Sequence, residues 1–250
     1  MRNNLYFLFL VLLIFSCNNK EDHNRLAKYA IDEAIKVSGG ELYNAVQIEF
    51  DFRDKHYSSQ RRDGAFKYIR ITTDSLQEIK DIYSSHSEFI RQVNGEQVII
   101  PDSLAQRIEN SINSVNYFVL LPYGLNDSAV RKTYIGKATV KGNDYHKIQV
   151  NFSEEGGGDD FEDVYMHWIH TETFKLEYLA YSFHVNGGGM RFREAYNERY
   201  INGLRIVDYN NFKPKVATAK LEELDSYFEQ GTLELLSKIE TENVSVNSLQ

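Results

Sequence analysis

The stretch GMRFREAYNERYINGLRIVDY, residues 189–209, has the pattern of two long strands joined by Asn202-Gly203. Asn and Gly tolerate the positive φ that a tight hairpin turn requires. Two further turn signals, Thr171–Thr173 and Asn186-Gly187, precede it at intervals of about fifteen residues. The intervals leave strands of roughly ten to thirteen residues, whereas a typical strand has about 5–6. Long antiparallel strands twist and coil, so the spacing predicts a strongly curved sheet in the form of a half-barrel.

Three segments have helical rather than alternating periodicity. Residues 25–38 carry a double apolar stripe that ends at Gly39-Gly40, and residues 102–119 carry a second stripe. A shorter helix is predicted at about 220–230. No internal repeat and no Pro-rich linker interrupts the chain. The sequence therefore predicts one α+β domain over residues 25–250, with a leading helix, an inserted helix and a short C-terminal helix.

The N-terminal segment has the layout of an export signal. The apolar run Leu5–Phe15 is shorter than the roughly 20 residues that a membrane-spanning helix needs. A positive start before such a run is typical of a secretory signal. The run ends in IFSC, residues 14–17, which resembles the lipobox of bacterial lipoproteins, where the cysteine is lipidated after cleavage. We expect residues 1–16 to be a signal peptide, Cys17 to carry the lipid anchor, and residues 17–24 to form a linker.

The expected location is the outer membrane, with the protein held there by its lipid anchor. The segment that follows Cys17 contains Lys20-Glu21-Asp22, a pattern similar to an export tag that moves some Gram-negative lipoproteins to the outer face. Charged residues are also common in solvated linkers. The sequence therefore leaves both the periplasmic face and the cell-surface face open.

Composition excludes some classes of function. The chain has 28 Lys and Arg against 36 Asp and Glu, a net charge of −8, and no basic stripe. Nucleic-acid binding depends on neutralising phosphates with Lys and Arg, so a nucleic-acid partner is not expected. The nucleophile motif G-x-S-x-G is absent from the sequence, and the single cysteine is assigned to the anchor. We therefore predict no catalytic residues, and an enzyme is the least favoured class.

Four phrases resemble a bacterial lipoprotein family defined by a domain of unknown function. They are IEFDFRDKHY, NSVNYFVLLPYGLNDSAV, DDFEDVYMHWIH and GGGMRFREAYNERYINGLRIVDY. The predicted order of helices and strands is similar to the LolA/LolB-like lipoprotein fold. That resemblance implies an incomplete barrel around an apolar hollow and favours a lipid-like or other apolar ligand. It implies no catalytic residues.

One face of the predicted sheet combines aromatic and polar side chains. If two strands pair through the turn at Thr171–Thr173, positions whose numbers sum to about 344 lie opposite each other. The face would then carry Met166, Trp168, Tyr178, Ser182, His184, Glu194 and Tyr196. Aromatic groups mixed with a few polar groups are typical of a ligand-binding wall. Ligand-binding residues are therefore predicted at Trp168, Tyr178, His184, Glu194 and Tyr196; the alternative is a half-buried face with satisfied polar groups.

The segment 154–163 contains six carboxylates in ten residues. Calcium binds such oxygen ligands and would offset their mutual repulsion. A Ca²⁺ site is predicted at Asp159, Asp160 and Asp163, although the spacing is not that of an EF-hand loop. A solvated loop between two strands is the alternative. No other cofactor is expected.

Two functions remain open for the anchored domain. A carrier would hide its aromatic side chains in a hollow lined by Phe50, Phe52 and the predicted ligand wall. A surface module for a protein or glycan partner would display them on an outer patch. With 17 Tyr and 15 Phe, the composition fits either function.

The lipid anchor generates the first testable prediction. Cys17→Ser removes the thiol that would carry the acyl chains, so acyl labelling should be lost and the protein should leave the membrane fraction. Membrane fractionation after metabolic labelling measures both effects. Unchanged membrane retention of Cys17→Ser would contradict the assignment.

Overall fold

The computed structural model describes residues 22–155, 161–184, 187–216 and 218–249. The first helix, α1, covers residues 22–38 of this part and is followed by a 3-10 turn at Gly40–Asn44. The second, α2, is Asp102–Leu120, and a 3-10 turn follows at Tyr123–Asn126. The third, α3, is Leu224–Glu229, preceded by a 3-10 turn at Leu221–Glu223. The three predicted helices are confirmed.

Fourteen strands are present in the described residues. They are β1 Ala45–Phe52, β2 Lys55–Arg62, β3 Ala65–Thr73, β4 Glu78–Ser84, β5 Ser87–Val93, β6 Glu96–Val98, β7 Val130–Val140, β8 Asn143–Phe152, β9 Val164–His170, β10 Leu176–Phe183, β11 Gly189–Ile201, β12 Leu204–Pro214, β13 Leu233–Ile239 and β14 Glu242–Ser248.

The strands form two seven-stranded antiparallel sheets. The first has the order β14-β1-β2-β3-β4-β5-β6, so β14 and β6 are its edges. The second consists of β7 to β13. Neither sheet closes on itself within the described part of the chain. The predicted α+β class, in which helices accompany an antiparallel sheet that does not close, is confirmed, with the strands divided between two sheets.

Cα packing divides the chain into two compact units. The described residues of the first unit come from the chain up to Ala34, from Asp127–Arg191 and from Pro214–Leu233. The second unit contains Ile35–Asn126, Phe192–Lys213 and the chain from Glu234 onward. The single domain expected from the sequence stays a prediction.

Two Asn-Gly pairs form hairpin turns. The predicted turn at Asn202-Gly203 joins β11 to β12 with φ of 46° and 88°, and Asn94-Gly95, a pair of the same kind, joins β5 to β6 with φ of 49° and 85°. Residues with a larger side chain than Gly rarely adopt such φ values, apart from Asn and Asp. The predicted long strands are also present, since β7, β8, β11 and β12 have 11, 10, 13 and 11 residues.

The predicted register of β9 and β10 is wrong by two residues. Tyr178 pairs with Trp168 and Ser182 with Val164, so opposite positions sum to 346 rather than about 344. A register shift of two residues leaves each side chain on the same face of the sheet. Trp168 and Tyr178 therefore share one face, as predicted.

The second unit has a core formed by α2 and the first sheet. Ile108 and Ile112 of α2 belong to the same buried cluster as Ile48 and Phe50 of β1. The alternation in β1 explains this packing, because every second residue points to the helix-covered side. Further residues of α2, β5 and the loop before α2 are partly buried against this cluster, among them Phe89, Ile100, Leu104, Val115 and Val119.

The first unit contains a buried histidine in an apolar setting. His167 of β9 has 0% exposure, and its cross-strand neighbours Ile148 and Leu179 are also fully buried. Neither of its ring nitrogens has a hydrogen-bond partner among the described residues. Burial disfavours the charged imidazolium, so the pKa of His167 is lowered from 6.5 to about 3. The neutral ring is therefore the form that the fold accommodates.

This histidine generates a prediction of acid sensitivity. At pH above 6.5 the ring is neutral in both the folded and unfolded states, so it does not make the free energy of unfolding depend on pH. Between pH 6.5 and 3 the unfolded state binds the proton more readily, so the free energy of unfolding should fall by up to about 1.4 kcal/mol per pH unit. Chemical denaturation of wild type and His167→Leu at pH 7.5 and 5.0 measures the effect, with exposed His184→Gln as the control. An equal loss of stability at pH 5.0 in wild type and His167→Leu would contradict the prediction.

Candidate functional site

A cleft in the second unit lies between strands β5 and β6 and the N-terminal half of α2. Its volume is about 510 Å³, within the range of about 300–1,000 Å³ that is common for small-molecule sites. It is lined by Glu88, Phe89, Arg91, Gln97, Val98, Ile99, Ile100, Asp102, Ala105, Gln106 and Glu109. The strand residues come from the edge of the first sheet, where β6 is the last strand.

The apolar part of the cleft follows from its place at the border of the core. Phe89 and Ile100 are half-buried and pack on the core cluster, so one side of each is available to the cleft. Ile99 differs from them because it is 98% exposed. Such exposure of a large aliphatic side chain beside further apolar groups is a feature of binding sites.

A buried cluster of three charges lies behind the cleft. The Asp81 carboxylate accepts hydrogen bonds from Arg70 Nη2 at 2.8 Å and from Arg91 Nε at 2.7 Å. Arg91 Nη2 also donates to it at 3.0 Å, so Arg91 binds both carboxylate oxygens. The side chain of Asp81 is 1% exposed, and those of Arg70 and Arg91 are 11% and 17% exposed. The register explains the cluster, because Arg70, Asp81 and Arg91 lie in one row across β3, β4 and β5.

The same cluster extends to the helix. Arg70 Nη1 donates to Ser111 Oγ of α2 at 3.3 Å, which joins the wall formed by the sheet to the wall formed by the helix. Two guanidinium groups share one carboxylate, so the cluster carries one net positive charge. Arg91, which binds both oxygens of Asp81, is the member of this positively charged cluster that lines the cleft.

Other lining residues carry negative charge. Glu88 and Asp102 are exposed, and their carboxylates make no hydrogen bond or ion pair with any described residue. Glu109 of α2 also lines the cleft. Apolar groups, one guanidinium and several carboxylates thus converge on one cavity, which is an arrangement suited to an amphiphilic molecule with a charged head.

Two predicted ligand-wall residues of the first unit, Trp168 and Tyr178, are packed rather than open. Trp168 is 0% exposed and donates through Nε1 to Asp225 Oδ2 of α3 at 3.0 Å. Lys147 Nζ lies 2.9 Å from the same oxygen and also binds the Glu222 carbonyl. Tyr178 is 5% exposed. These contacts indicate a structural role for the polar groups beside Trp168, while the predicted ligand role stays a prediction.

The remaining wall residues lie in different places. His184 is exposed, with Nδ1 at 3.7 Å from Asp163 Oδ1. In the second unit, Glu194 accepts a hydrogen bond from Asn210 Nδ2 at 3.2 Å, and the Tyr196 hydroxyl donates to Glu240 Oε1 at 2.6 Å. The first unit thus contains three of the five predicted residues and the second unit the other two. Their ligand role also stays a prediction.

The residues predicted to bind a metal or to carry the lipid lie partly outside the described residues. Cys17, Asp159 and Asp160 are not described, whereas Asp163 is and is 7% exposed. The described part of the chain contains no group of three or more His, Cys, Asp or Glu side chains arranged to hold a metal ion. The Ca²⁺ site therefore stays a prediction, as does the anchor at Cys17.

Sequence reasoning missed the cleft, although it left a local signal. Val98-Ile99-Ile100 is an apolar run directly after a hairpin and directly before the Pro101 that precedes α2. This run is too short to form a further core strand, and it lies at the boundary between a strand and a helix. Such a run indicates apolar side chains at the edge of a sheet. The convergence of Arg91 with α2 has no local signal, because it depends on the pairing of three strands.

The chain belongs to the DUF6503 family, described as a family of unknown function, which it matches over residues 3–241. No curated protein matches the chain. In the described residues, no helix combines the length and the apolar character that crossing a membrane requires.

Several solved structures of other proteins are similar to this chain. A LolA superfamily protein from Nitrosomonas europaea is 10% identical, with a TM-score of 0.42, and the match covers 90% of this chain and 93% of that one. A DUF1329 family protein from Desulfovibrio piger is 9% identical, with a TM-score of 0.39 and coverages of 88% and 92%. The lipoprotein LppX from Mycobacterium tuberculosis is 12% identical, with a TM-score of 0.30 and coverages of 67% and 92%. The predicted membership of a family defined by a domain of unknown function is confirmed by the family match, and function is inferred below from the side chains of this chain.

The acidic segment generates a prediction about calcium. If Asp159, Asp160 and Asp163 bind Ca²⁺, millimolar CaCl₂ should raise the melting temperature, because a ligand that binds only the folded state stabilises it. Addition of a chelator should reverse the shift, and Asp163→Asn should reduce it. Mg²⁺ at equal concentration controls for ionic strength. A melting temperature that does not respond to Ca²⁺ would favour the solvated loop.

Proposed function

We propose that the chain is a membrane-anchored lipoprotein of the cell envelope that binds a lipid-like ligand in the cleft between β5, β6 and α2. The observation that carries the ligand proposal is the cleft itself, in which the 98% exposed Ile99 accompanies Phe89, Val98 and Ile100. The apolar side chains would contact an acyl chain, and the charged side chains would contact its head. The apolar run before Cys17 supports the anchored location.

The distribution of aromatic side chains supports a ligand site over a partner-binding patch. A module for a protein or glycan partner would display several aromatic groups on its surface. Among the described residues only Tyr29 and Tyr200 are exposed aromatics, and they belong to different units. Most of the aromatic residues are instead packed in clusters such as that of Phe66, Tyr68 and Tyr83.

The proposed site differs from the wall predicted from the sequence. Trp168 and Tyr178 do not line this cleft, so tryptophan fluorescence is not a direct reporter of its occupancy. A direct measurement of bound mass is therefore preferable to an optical one.

Native mass spectrometry of residues 18–250 with dodecyl maltoside below its micellar concentration tests the proposal. Wild-type protein should bind one detergent molecule in a saturable manner. Ile99→Glu should weaken binding at least roughly 5-fold, because it removes apolar surface worth about 25 cal/mol per Å² and places a charge beside the chain. Ala105→Trp should weaken binding by filling the cleft.

Leu76→Glu is the matched control for this experiment. Leu76 is 88% exposed and belongs to the same unit, but it does not line the cleft. Its substitution should leave the affinity unchanged, and the melting temperatures of all three variants show whether each one is folded. Absence of bound detergent on the wild type, or equal losses in Ile99→Glu and Leu76→Glu, would contradict the proposal.

A further inference from the structure

The cleft contains an unused hydrogen-bond donor at its inner wall. Arg91 donates to Asp81 through Nε and Nη2, whereas its Nη1 has no hydrogen bond to any described residue. The side chain is 17% exposed and Nη1 is not one of the fully buried polar atoms, so this donor is accessible from the cleft. A mostly buried guanidinium with open donors favours an anionic group that can accept from it.

The net charge of the Arg70, Asp81 and Arg91 cluster also favours an anionic group. Asp81 neutralises only one of the two guanidinium groups that it binds, so Arg70 and Arg91 together leave one positive charge. A charge that is largely removed from water is more costly than an exposed one, and an anionic partner lowers that cost. Nη1 of Arg91 is left to donate to a phosphate oxygen, and the planar guanidinium fixes its direction in a way that the ammonium of a Lys would not.

The outer part of the cleft carries negative charge. The exposed carboxylates of Glu88 and Asp102 make no ion pair with a described residue, and Glu109 adds a third carboxylate. An anionic head alone would meet repulsion from these groups. A cationic head alone would meet repulsion from Arg91. A head that carries both charges satisfies both parts of the cleft.

We infer that the cleft selects an amphiphile with a zwitterionic phosphoethanolamine head. The phosphate accepts hydrogen bonds from Arg91, and the primary ammonium donates to Glu88 and Asp102. The acyl chain lies against Phe89 and Ile99. This inference rests on the proposed function, because it names the head of the ligand that the same cleft binds.

The ammonium distinguishes this head from a phosphocholine head of equal charge. A primary ammonium has three N–H donors for carboxylate oxygens, whereas a trimethylated nitrogen has none. Hydrogen bonds between charged groups are stronger than neutral ones, so the site should prefer the unmethylated head. The cleft volume of about 510 Å³ favours a molecule with one chain over a complete two-chain lipid.

The experiment compares single-chain probes that have equal chains and different heads. Isothermal titration of residues 18–250 is performed below the micellar concentration with lysophosphatidylethanolamine, lysophosphatidylcholine, lysophosphatidylglycerol and an alkyl maltoside. The ethanolamine probe should bind tightest, by several-fold over each of the others. Glu88→Gln with Asp102→Asn should weaken it about 5-fold, since each exposed charge pair is worth about 0.2–1 kcal/mol. The loss for the ethanolamine probe should exceed the loss for the maltoside, because the uncharged maltoside head forms no ion pair with these carboxylates.

Two further variants separate the parts of the site. Arg91→Lys retains the charge next to Asp81 but loses the planar donor set, so it should reduce the preference for phosphate-bearing probes over the maltoside. Glu78→Gln removes an exposed carboxylate in β4 that does not line the cleft, and it should change nothing. Melting temperatures measured in parallel show whether Arg91→Lys remains folded.

The outcomes separate the inference from the function on which it rests. If none of the four probes binds, the proposed function itself fails. If all four probes bind with equal affinity, the cleft binds the apolar chain without discriminating between heads, and only the inference is overturned. Tightest binding of lysophosphatidylglycerol, or no difference between the ethanolamine and choline probes, would also overturn it.

Discussion

The shared carboxylate of Asp81 is the interaction on which the candidate site depends. It binds arginines from the strands on either side, and one of these, Arg70, also binds Ser111 of α2. A single buried anion therefore holds three strands in register and connects them to the helix that forms the opposite wall of the cleft. Removing one partner of a buried pair typically costs about 3–5 kcal/mol, because the remaining charge is left without compensation. The cluster as a whole keeps one positive charge, and Arg91 is the member of it that lines the cleft.

Local features of the structure could be predicted from the sequence. The three helices follow from stripes at helical spacing, and the Asn-Gly hairpins follow from the φ that those residues tolerate. The register of β9 and β10 was off by two residues because the turn between them is longer than expected and the pairing shifts again between Leu176 and Tyr178. Phe174 takes a positive φ of 54° in that turn, which is rare for a bulky side chain and has no signal in the sequence.

Long-range packing decided which polar groups are structural and which line a cavity. Trp168 lies on the predicted face of the sheet, but Asp225, which is 57 residues away in the chain, accepts its indole hydrogen bond. Lys147 pairs with the same carboxylate. Conversely, Arg91 lies in a short strand without any motif, and only the pairing of β3, β4 and β5 brings it to Asp81. No periodicity in a single sequence contains that information.

Photo-crosslinking tests most directly whether the cleft is the site of ligand binding. A single-chain amphiphile with a diazirine near the end of its chain is added to residues 18–250, irradiated and mapped by peptide mass spectrometry. The structure predicts saturable adducts within residues 88–109, reduced by Ala105→Trp and competed by the unlabelled amphiphile. Saturable adducts concentrated in residues 164–183, around Trp168, with none in 88–109, would contradict the account and return the site to the wall predicted from the sequence.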